Sequence, residues 1–156
     1  ICMLIYIWLR FKNIQFALAA VIALVHDVLI VVGFYSLSRL TVGTTFIACL
    51  LTIVGYSINA TIVIFDRIRE NKAVMKRGET MIGLIDRSIT ETLTRSIYTS
   101  LTTFVAVFMI FVMGVSSIKE FTTPLMVGIV AGAYSSVFVT GALWYVLKGK
   151  QYDKEK

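Results

Sequence analysis

Residues 55–71 read GYSINATIVIFDRIREN, and this stretch decides how the chain folds. Its first half is apolar and typical of a helix, whereas its second half contains four charged residues within five positions. Such an abrupt change indicates a helix that leaves the hydrocarbon core of a bilayer. At a rise of about 1.5 Å per residue, Asn59 is predicted to lie roughly 10 Å deeper than Asp66. An amide at that depth needs a neighbouring helix or a water-filled path, so Asn59 is a candidate site residue.

The composition indicates an integral membrane protein. Of the 156 residues, 58% are hydrophobic and only 15% are charged, whereas a soluble domain carries about a quarter charged residues. The net charge of +6 does not indicate nucleic-acid binding, because the basic residues lie at the ends of apolar segments. Cys2 and Cys49 fit neither a metal site nor a disulfide framework, and no metal or cofactor is predicted.

The lengths of the hydrophobic segments predict an all-α membrane bundle. The four complete spans are predicted at residues 16–37, 45–65, 97–115 and 125–147, close to the roughly 20 residues that a bilayer requires. Residues 1–9 are apolar but too short to span, and we interpret them as the end of a fifth transmembrane helix. Residues 116–124 are predicted to link the last two spans, with Pro124 in the first turn of the fourth span.

A polar stretch, residues 66–95, separates the second and third spans. Its apolar residues recur every four positions and predict a cytoplasmic amphipathic helix, which lies along the membrane surface or packs on the bundle: Met81, Ile85, Ile89 and Leu93. Thirteen of the fifteen Lys and Arg residues fall in this stretch, at Arg10 and Lys12, or in the C-terminal tail. The positive-inside rule therefore places both ends of the chain in the cytoplasm.

Asp27 is an ionisable residue inside the first predicted span. An acid at this depth is expected either in an ion path or as a hydrogen-bonded link between two helices. His26 is expected to be a packed core residue, and because neighbouring helical positions point about 100° apart, it is not expected to form a hydrogen-bonded pair with Asp27. The chain offers no second intramembrane Asp and no suitable Ser–His pair, so an enzyme is not indicated.

Arg95 opens the third predicted span and shares one helix face with Glu91, Thr99 and Thr102. The hydroxyl groups on this side favour a face turned towards the bundle or towards water, although Arg95 alone is also consistent with a side chain that reaches out to the membrane surface. In the fourth span, Gly128 and Gly132 form a GxxxG motif, which is typical of close helix packing.

These motifs resemble the SecF family of bacterial protein-export membrane proteins. Residues 55–71 are similar to the family pattern GYSxNDTxVxFDRIREN, RSIYTSLTT at 95–103 is similar to RTxxTSLTT, and GIVAGAYSSVFVTG at 128–141 is similar to the sixth family segment. The first likeness includes Gly55, which we add to the predicted packing positions. It also includes the charged motif of Asp66, Arg67, Arg69, Glu70 and Asn71.

The resemblance implies one SecF-type transmembrane domain over residues 1–156, preceded in family members by a further transmembrane helix and an extracytoplasmic domain. It also implies a multi-pass protein of the bacterial cytoplasmic membrane that pairs with SecD, assists the SecYEG channel, and contacts lipids and exported proteins. The implied function is to couple a transmembrane ion gradient to protein export. The family places the residue matching Arg95 in the proton pathway, and we add Asp27, Asn59 and Thr99 as candidates.

Ala60 departs from the family pattern. Many members carry at this position an Asp that is linked to proton movement, and a methyl group cannot carry a proton. Asp27 and a carboxylate of a SecD helix are candidate substitutes. Two alternatives remain open, namely a passive scaffold without ion flux and another transporter of the RND superfamily that moves lipids or small molecules.

Overall fold

The protein is an all-α bundle, as the hydrophobic pattern predicts. The computed structural model describes residues 14–75 and 79–149, and four of its helical segments are long and apolar enough to cross a membrane. The expected end of a further transmembrane helix at residues 1–9 lies outside the described residues. The helices are α1 (Ile14–Ser38), α2 (Thr44–Ala73), α3 (Met81–Met113), α4 (Ser116–Tyr134) and α5 (Thr140–Trp144).

Helix α2 carries the decisive stretch through the membrane and beyond it. Its 30 residues correspond to a length of about 45 Å, which exceeds the roughly 30 Å hydrocarbon core of a bilayer. The helix therefore continues as a regular rod past the point where the sequence becomes charged, and it exposes Arg69 and Glu70 of the motif while it buries Asn71.

The amphipathic segment and the third span form one continuous helix, α3, of 33 residues. The Thr80 hydroxyl caps its start by accepting a hydrogen bond from the backbone N–H of Gly83 at 3.2 Å. Neither Gly nor Pro interrupts residues 84–113, so nothing in the sequence ends the helix at the membrane surface. Of the two predicted placements, packing on the bundle is the one observed, because Met81 and Leu84 are fully buried.

The last helix begins earlier than predicted. Helix α4 starts at Ser116, so Pro124 is a residue of the helix interior, and its predicted place in the first turn is wrong. A proline there removes one backbone donor. The segment 116–123 contains no helix breaker that would separate it from the span. After α4, two wide turns with π-helical geometry, Ser135–Val139 and Tyr145–Gly149, flank α5. Ser116–Leu147 together form one membrane-crossing segment, which we call the last helix.

Two apolar clusters pack the bundle at its two ends. In one, the Phe16 ring lies 4.8 Å from the Phe65 ring and stacks on Trp144 at 5.0 Å. In the other, the buried side chains of Ile53 and Ile129 pack together with their apolar neighbours. Along α1, α2 and the last helix, a layer of buried polar residues lies between these two clusters.

The three predicted packing glycines have different surroundings. At Gly128, an added methyl group would overlap the buried side chain of Ile53, so α2 and α4 approach each other as closely as a glycine permits. At Gly132, the side chains of Tyr56 and Ser57 lie at ordinary contact distance. Gly55 is exposed, and no described atom would lie within 4 Å of an added methyl group, so it does not pack against another described helix.

Gly128→Ala is expected to lower the free energy of unfolding by about 1–3 kcal/mol, because Ile53 is fully buried and cannot move aside without disturbing the core. Gly55→Ala is the matched control, since it adds the same methyl group to open space, and it is expected to leave stability unchanged or to raise it by up to about 1 kcal/mol, because alanine favours a helix more than glycine does. Thermal unfolding of the detergent-solubilised proteins measures both. Equal melting temperatures for the two variants would contradict this account of the α2–α4 contact.

Candidate functional site

Asp27 lies in the interior of the bundle and is fully buried. Its Oδ2 atom accepts a hydrogen bond from the Ser57 hydroxyl of α2 at 2.5 Å and another from the Ser135 hydroxyl of the last helix at 3.0 Å. One carboxylate therefore joins three helices. Because polar groups in a membrane interior are costly unless they are satisfied, these two hydroxyls are what allows the acid to lie at this depth.

His26 does not behave as the sequence predicts. Its Nδ1 atom lies 3.1 Å from Oδ1 of Asp27, so the two neighbouring side chains do meet. Helical spacing gives only the directions in which adjacent residues leave the helix, whereas the side-chain conformations bring these two polar atoms within hydrogen-bonding distance. His26 is also 39% exposed, so the prediction of a packed core histidine is wrong.

A cleft between α2 and α3 brings three of the four predicted ion-pathway residues together. It has a volume of about 70 Å³, and its walls include the polar side chains that the sequence places on facing sides of the two helices. The Tyr56 hydroxyl donates to Ser100 at 2.7 Å and so bridges the two walls. The lining residues are Tyr56, Asn59, Ala60, Val63, Arg95, Ser96, Thr99 and Ser100.

A second, larger cavity adjoins this cleft and has a volume of about 370 Å³. Val63 and Arg95 line both spaces, so Arg95 lies where they meet. Four further charged residues line the second cavity, three of which are acidic: Asp66, Arg67, Glu70 and Glu91. The two cavities lie beside α2 from its charged end to Asn59, and Asp27 lines neither of them.

The charged motif of α2 fastens this helix to the first half of α3. Arg67 donates through Nε to Glu91 at 2.6 Å and through a terminal nitrogen to Glu70 at 2.8 Å. The Asn71 amide donates to the same Glu91 oxygen at 2.8 Å and to the Ser88 hydroxyl at 3.0 Å. Glu91 thus accepts hydrogen bonds from two residues of the motif, Arg67 and Asn71.

Arg69 and Asp66 form a further ion pair of the motif, at 3.2 Å and on the same helix. The helical spacing predicts Glu91 only on the face of Arg95, and nothing in the sequence singles out Ser88. The pairing with Asn71 depends on how the chain turns between α2 and α3, and a helical periodicity does not contain that information.

Among the residues that the structure describes, no three His, Cys, Asp or Glu side chains are grouped to hold a metal ion.

The family model of the protein export membrane proteins SecD/SecF, C-terminal, matches residues 1–150. The chain belongs to this family. It is 47% identical over 148 residues to the protein translocase subunit SecF of Sebaldella termitidis, covering 95% of this chain and 48% of that protein. It is 41% identical to the protein translocase subunit SecDF of Bacillus subtilis, covering 97% of this chain and 21% of that protein.

Solved structures of SecDF proteins share the fold. A crystal structure of SecDF, a translocon-associated membrane protein from Thermus thermophilus, matches with a TM-score of 0.88 and 44% identity over 93% of this chain and 20% of that one. A SecDF structure in a super-membrane-facing form matches with a TM-score of 0.89, 43% identity, and coverage of 97% and 20%. The chain spans about half the length of its SecF relatives and about a fifth of the SecDF chains.

Within the family motif, Asn71→Ala is expected to lower the free energy of unfolding by about 1–3 kcal/mol, because a buried amide loses hydrogen bonds to Ser88 and Glu91. Glu70→Ala is the control on the same helix. Its carboxylate is 56% exposed and pairs only at the surface, so little change in stability is expected. Unfolding of the two purified variants compares them directly, and a larger loss for Glu70→Ala would refute this assignment.

Proposed function

We propose that this chain is the membrane part of a SecF-type subunit that helps to drive protein export with the energy of a transmembrane ion gradient. The observation that carries the proposal is the polar cleft between α2 and α3, with Asn59, Arg95 and Thr99 along its walls. In a helix pair that otherwise exposes apolar side chains, such a lining provides water and passing ions with hydrogen-bonding partners.

Each cleft residue has a physical role in this proposal. The fixed positive charge of Arg95, at the junction of the two cavities, sets the local potential that an entering ion meets. The Asn59 amide, which is exposed on the cleft wall, holds water as both a donor and an acceptor of hydrogen bonds. The Thr99 hydroxyl donates to the Arg95 carbonyl at 2.8 Å and leaves its oxygen lone pairs available to the cleft.

The proposed setting follows from the relatives. Some relatives carry SecD and SecF in one chain, as their name SecDF states, and we propose a SecD protein as the partner of this subunit. We further propose that the subunit lies in the bacterial cytoplasmic membrane with both ends of this chain inside, assists the SecYEG channel and contacts exported proteins. In this role it moves other molecules and is not an enzyme.

Thr99→Val is expected to reduce ion-driven export several-fold, because valine keeps the shape of threonine and removes the hydroxyl from the cleft. Thr102→Val is a closely matched control. Thr102 also donates to a carbonyl of its own helix at 2.8 Å, but it does not line the cleft. Export into inverted membrane vesicles, measured with and without an ion gradient, compares the two, and equal rates would argue against an aqueous path at Thr99.

A passive scaffold is the second candidate function, and Ala60 is the observation that favours it. Ala60 lies in the cleft wall, where its methyl group offers nothing to a passing proton. In the proposal with ion flux, Asp27 supplies the carboxylate instead, although the protein around it separates it from the cleft.

Asp27→Asn is expected to abolish ion-driven export while gradient-independent export continues, because the amide keeps an acceptor oxygen and cannot take up a proton at neutral pH. Ala60→Asp, which restores the family residue, is the companion variant and is expected to preserve export in the Asp27→Asn background. Export rates and ion flux, both measured in the same vesicles, distinguish the ion-driven subunit from the passive scaffold. Unchanged export in Asp27→Asn excludes Asp27 as the substitute, and absent ion flux in the parent protein supports the scaffold.

A further inference from the structure

The wide turn Ser135–Val139 interrupts the regular α-helical pattern of the last helix. The backbone N–H of Thr140 donates to the carbonyl of Ser135, which lies five residues earlier instead of four. The Thr140 hydroxyl approaches the same carbonyl at 3.3 Å. A turn of this kind contains one more residue than an α-helical turn, is rare, and is frequently found at functional sites.

A hydrogen bond from another helix holds the first residue of this turn. The Ser135 hydroxyl donates to Oδ2 of Asp27 on α1 at 3.0 Å, and both residues are fully buried. The next residue, Ser136, is equally buried, yet its hydroxyl donates to the Ala133 carbonyl of its own helix at 3.1 Å. Ser135 is therefore the buried serine whose side chain connects the turn to α1.

The segment beyond the turn has a close fit to its neighbours. A methyl group added at Gly141 would lie 3.2 Å from Ile85 and 2.9 Å from Ile89, both on α3. The Trp144 ring is fully buried and stacks on Phe16. If the wide turn became an α-helical turn, the residues beyond it would rotate by about 100° and shift by about 1.5 Å. Thr140 would then occupy the place of Gly141.

We propose that the Asp27–Ser135 hydrogen bond is a latch that fixes the rotational register of α5 against α3. When the bond is released, the wide turn resolves and α5 advances by one residue. Asp27 is in this respect a positioning residue, which acts on the α3 contact through Ser135. The proposal goes beyond the ion pathway and does not require it, because the register depends on the hydrogen bond whatever ion is moved.

Disulfide cross-linking between α3 and α5 reads the register directly. In the full-length subunit in membranes with its partner, and with native cysteines replaced, Ile85→Cys is combined either with Gly141→Cys or with Thr140→Cys. The geometry favours the pair 85–141 in the parent, because the added Cβ atom of Gly141 lies beside the Ile85 side chain. The readout is the ratio of 85–140 to 85–141 cross-links after mild oxidation.

Ser135→Ala is expected to raise this ratio by roughly two- to tenfold, the change that corresponds to the loss of one buried hydrogen bond. Asp27→Ala removes the acceptor and is expected to give the same shift, and the double variant is expected to add nothing further, because both changes break one bond. Ser136→Ala removes an equally buried hydroxyl and is expected to leave the ratio unchanged. Ser135→Thr keeps a hydroxyl and is expected to keep the ratio of the parent.

An unchanged ratio in Ser135→Ala would overturn the latch, and so would an equal shift in Ser136→Ala. If Asp27→Ala does not accumulate in membranes, the result for Ser135→Ala is sufficient by itself, since this variant removes a single oxygen atom and introduces no new group. Cross-linking does not measure export. An unchanged cross-link ratio in Ser135→Ala therefore refutes the latch and leaves the proposed ion pathway unaffected. Unchanged export in Asp27→Asn refutes the ion role of Asp27 and leaves the latch unaffected.

Discussion

A buried carboxylate inside a membrane bundle imposes a strict condition on the helices around it. Lipid offers no hydrogen bonds, so the protein itself must satisfy the Asp27 carboxylate. Ser57 and Ser135 do so from two other helices, and their hydroxyls meet at one oxygen atom of Asp27. The close approach of the helices at Gly128, about two turns before Ser135, allows such short side chains to reach across.

The structure separates two polar regions of different character. The region around Asp27 is enclosed, and its hydroxyl partners come from helices that pack tightly against one another. The region around Arg95 is a cleft that widens into a charged cavity at the end of α2. Helix α2 contributes to both, with Ser57 on the enclosed side and Asn59 on the cleft side. A movement of α2 therefore affects the two regions at once, which is a simple physical route for coupling between them.

Hydrophobic length predicts the four spans well, because a bilayer sets the number of apolar residues that a crossing helix needs. The sequence also indicates that Arg95 and Thr99 share one polar helix face, since helical spacing determines which residues share a face. The meeting of this face with Asn59 of α2 is a tertiary contact that the spacing does not contain. The same reasoning could not foresee that α3 continues unbroken from Met81, or that Pro124 lies inside a helix, because both depend on tertiary packing that outweighs local preferences.

Contacts between distant residues were the least predictable part of the site. Nothing in residues 66–95 alone indicates that Asn71 and Arg67 share Glu91, because this arrangement depends on the turn between α2 and α3. Gly55 shows a related limit, since a glycine in a helix matches a packing motif equally well whether it contacts a neighbour or faces outward. The meeting of His26 with Asp27 depends on side-chain conformation, which a helical wheel leaves out.

Water access along α2 and α3 tests the central claim most directly. Single cysteines at Ala60, in the cleft wall, and at Leu101, on the exposed apolar surface of α3, can be treated in membranes with a water-soluble, membrane-impermeant thiol reagent applied from each side in turn. An aqueous cleft predicts that the cysteine at position 60 reacts from one side and that the cysteine at position 101 does not. Failure of both to react, or equal reaction of both, would contradict a polar path between these helices.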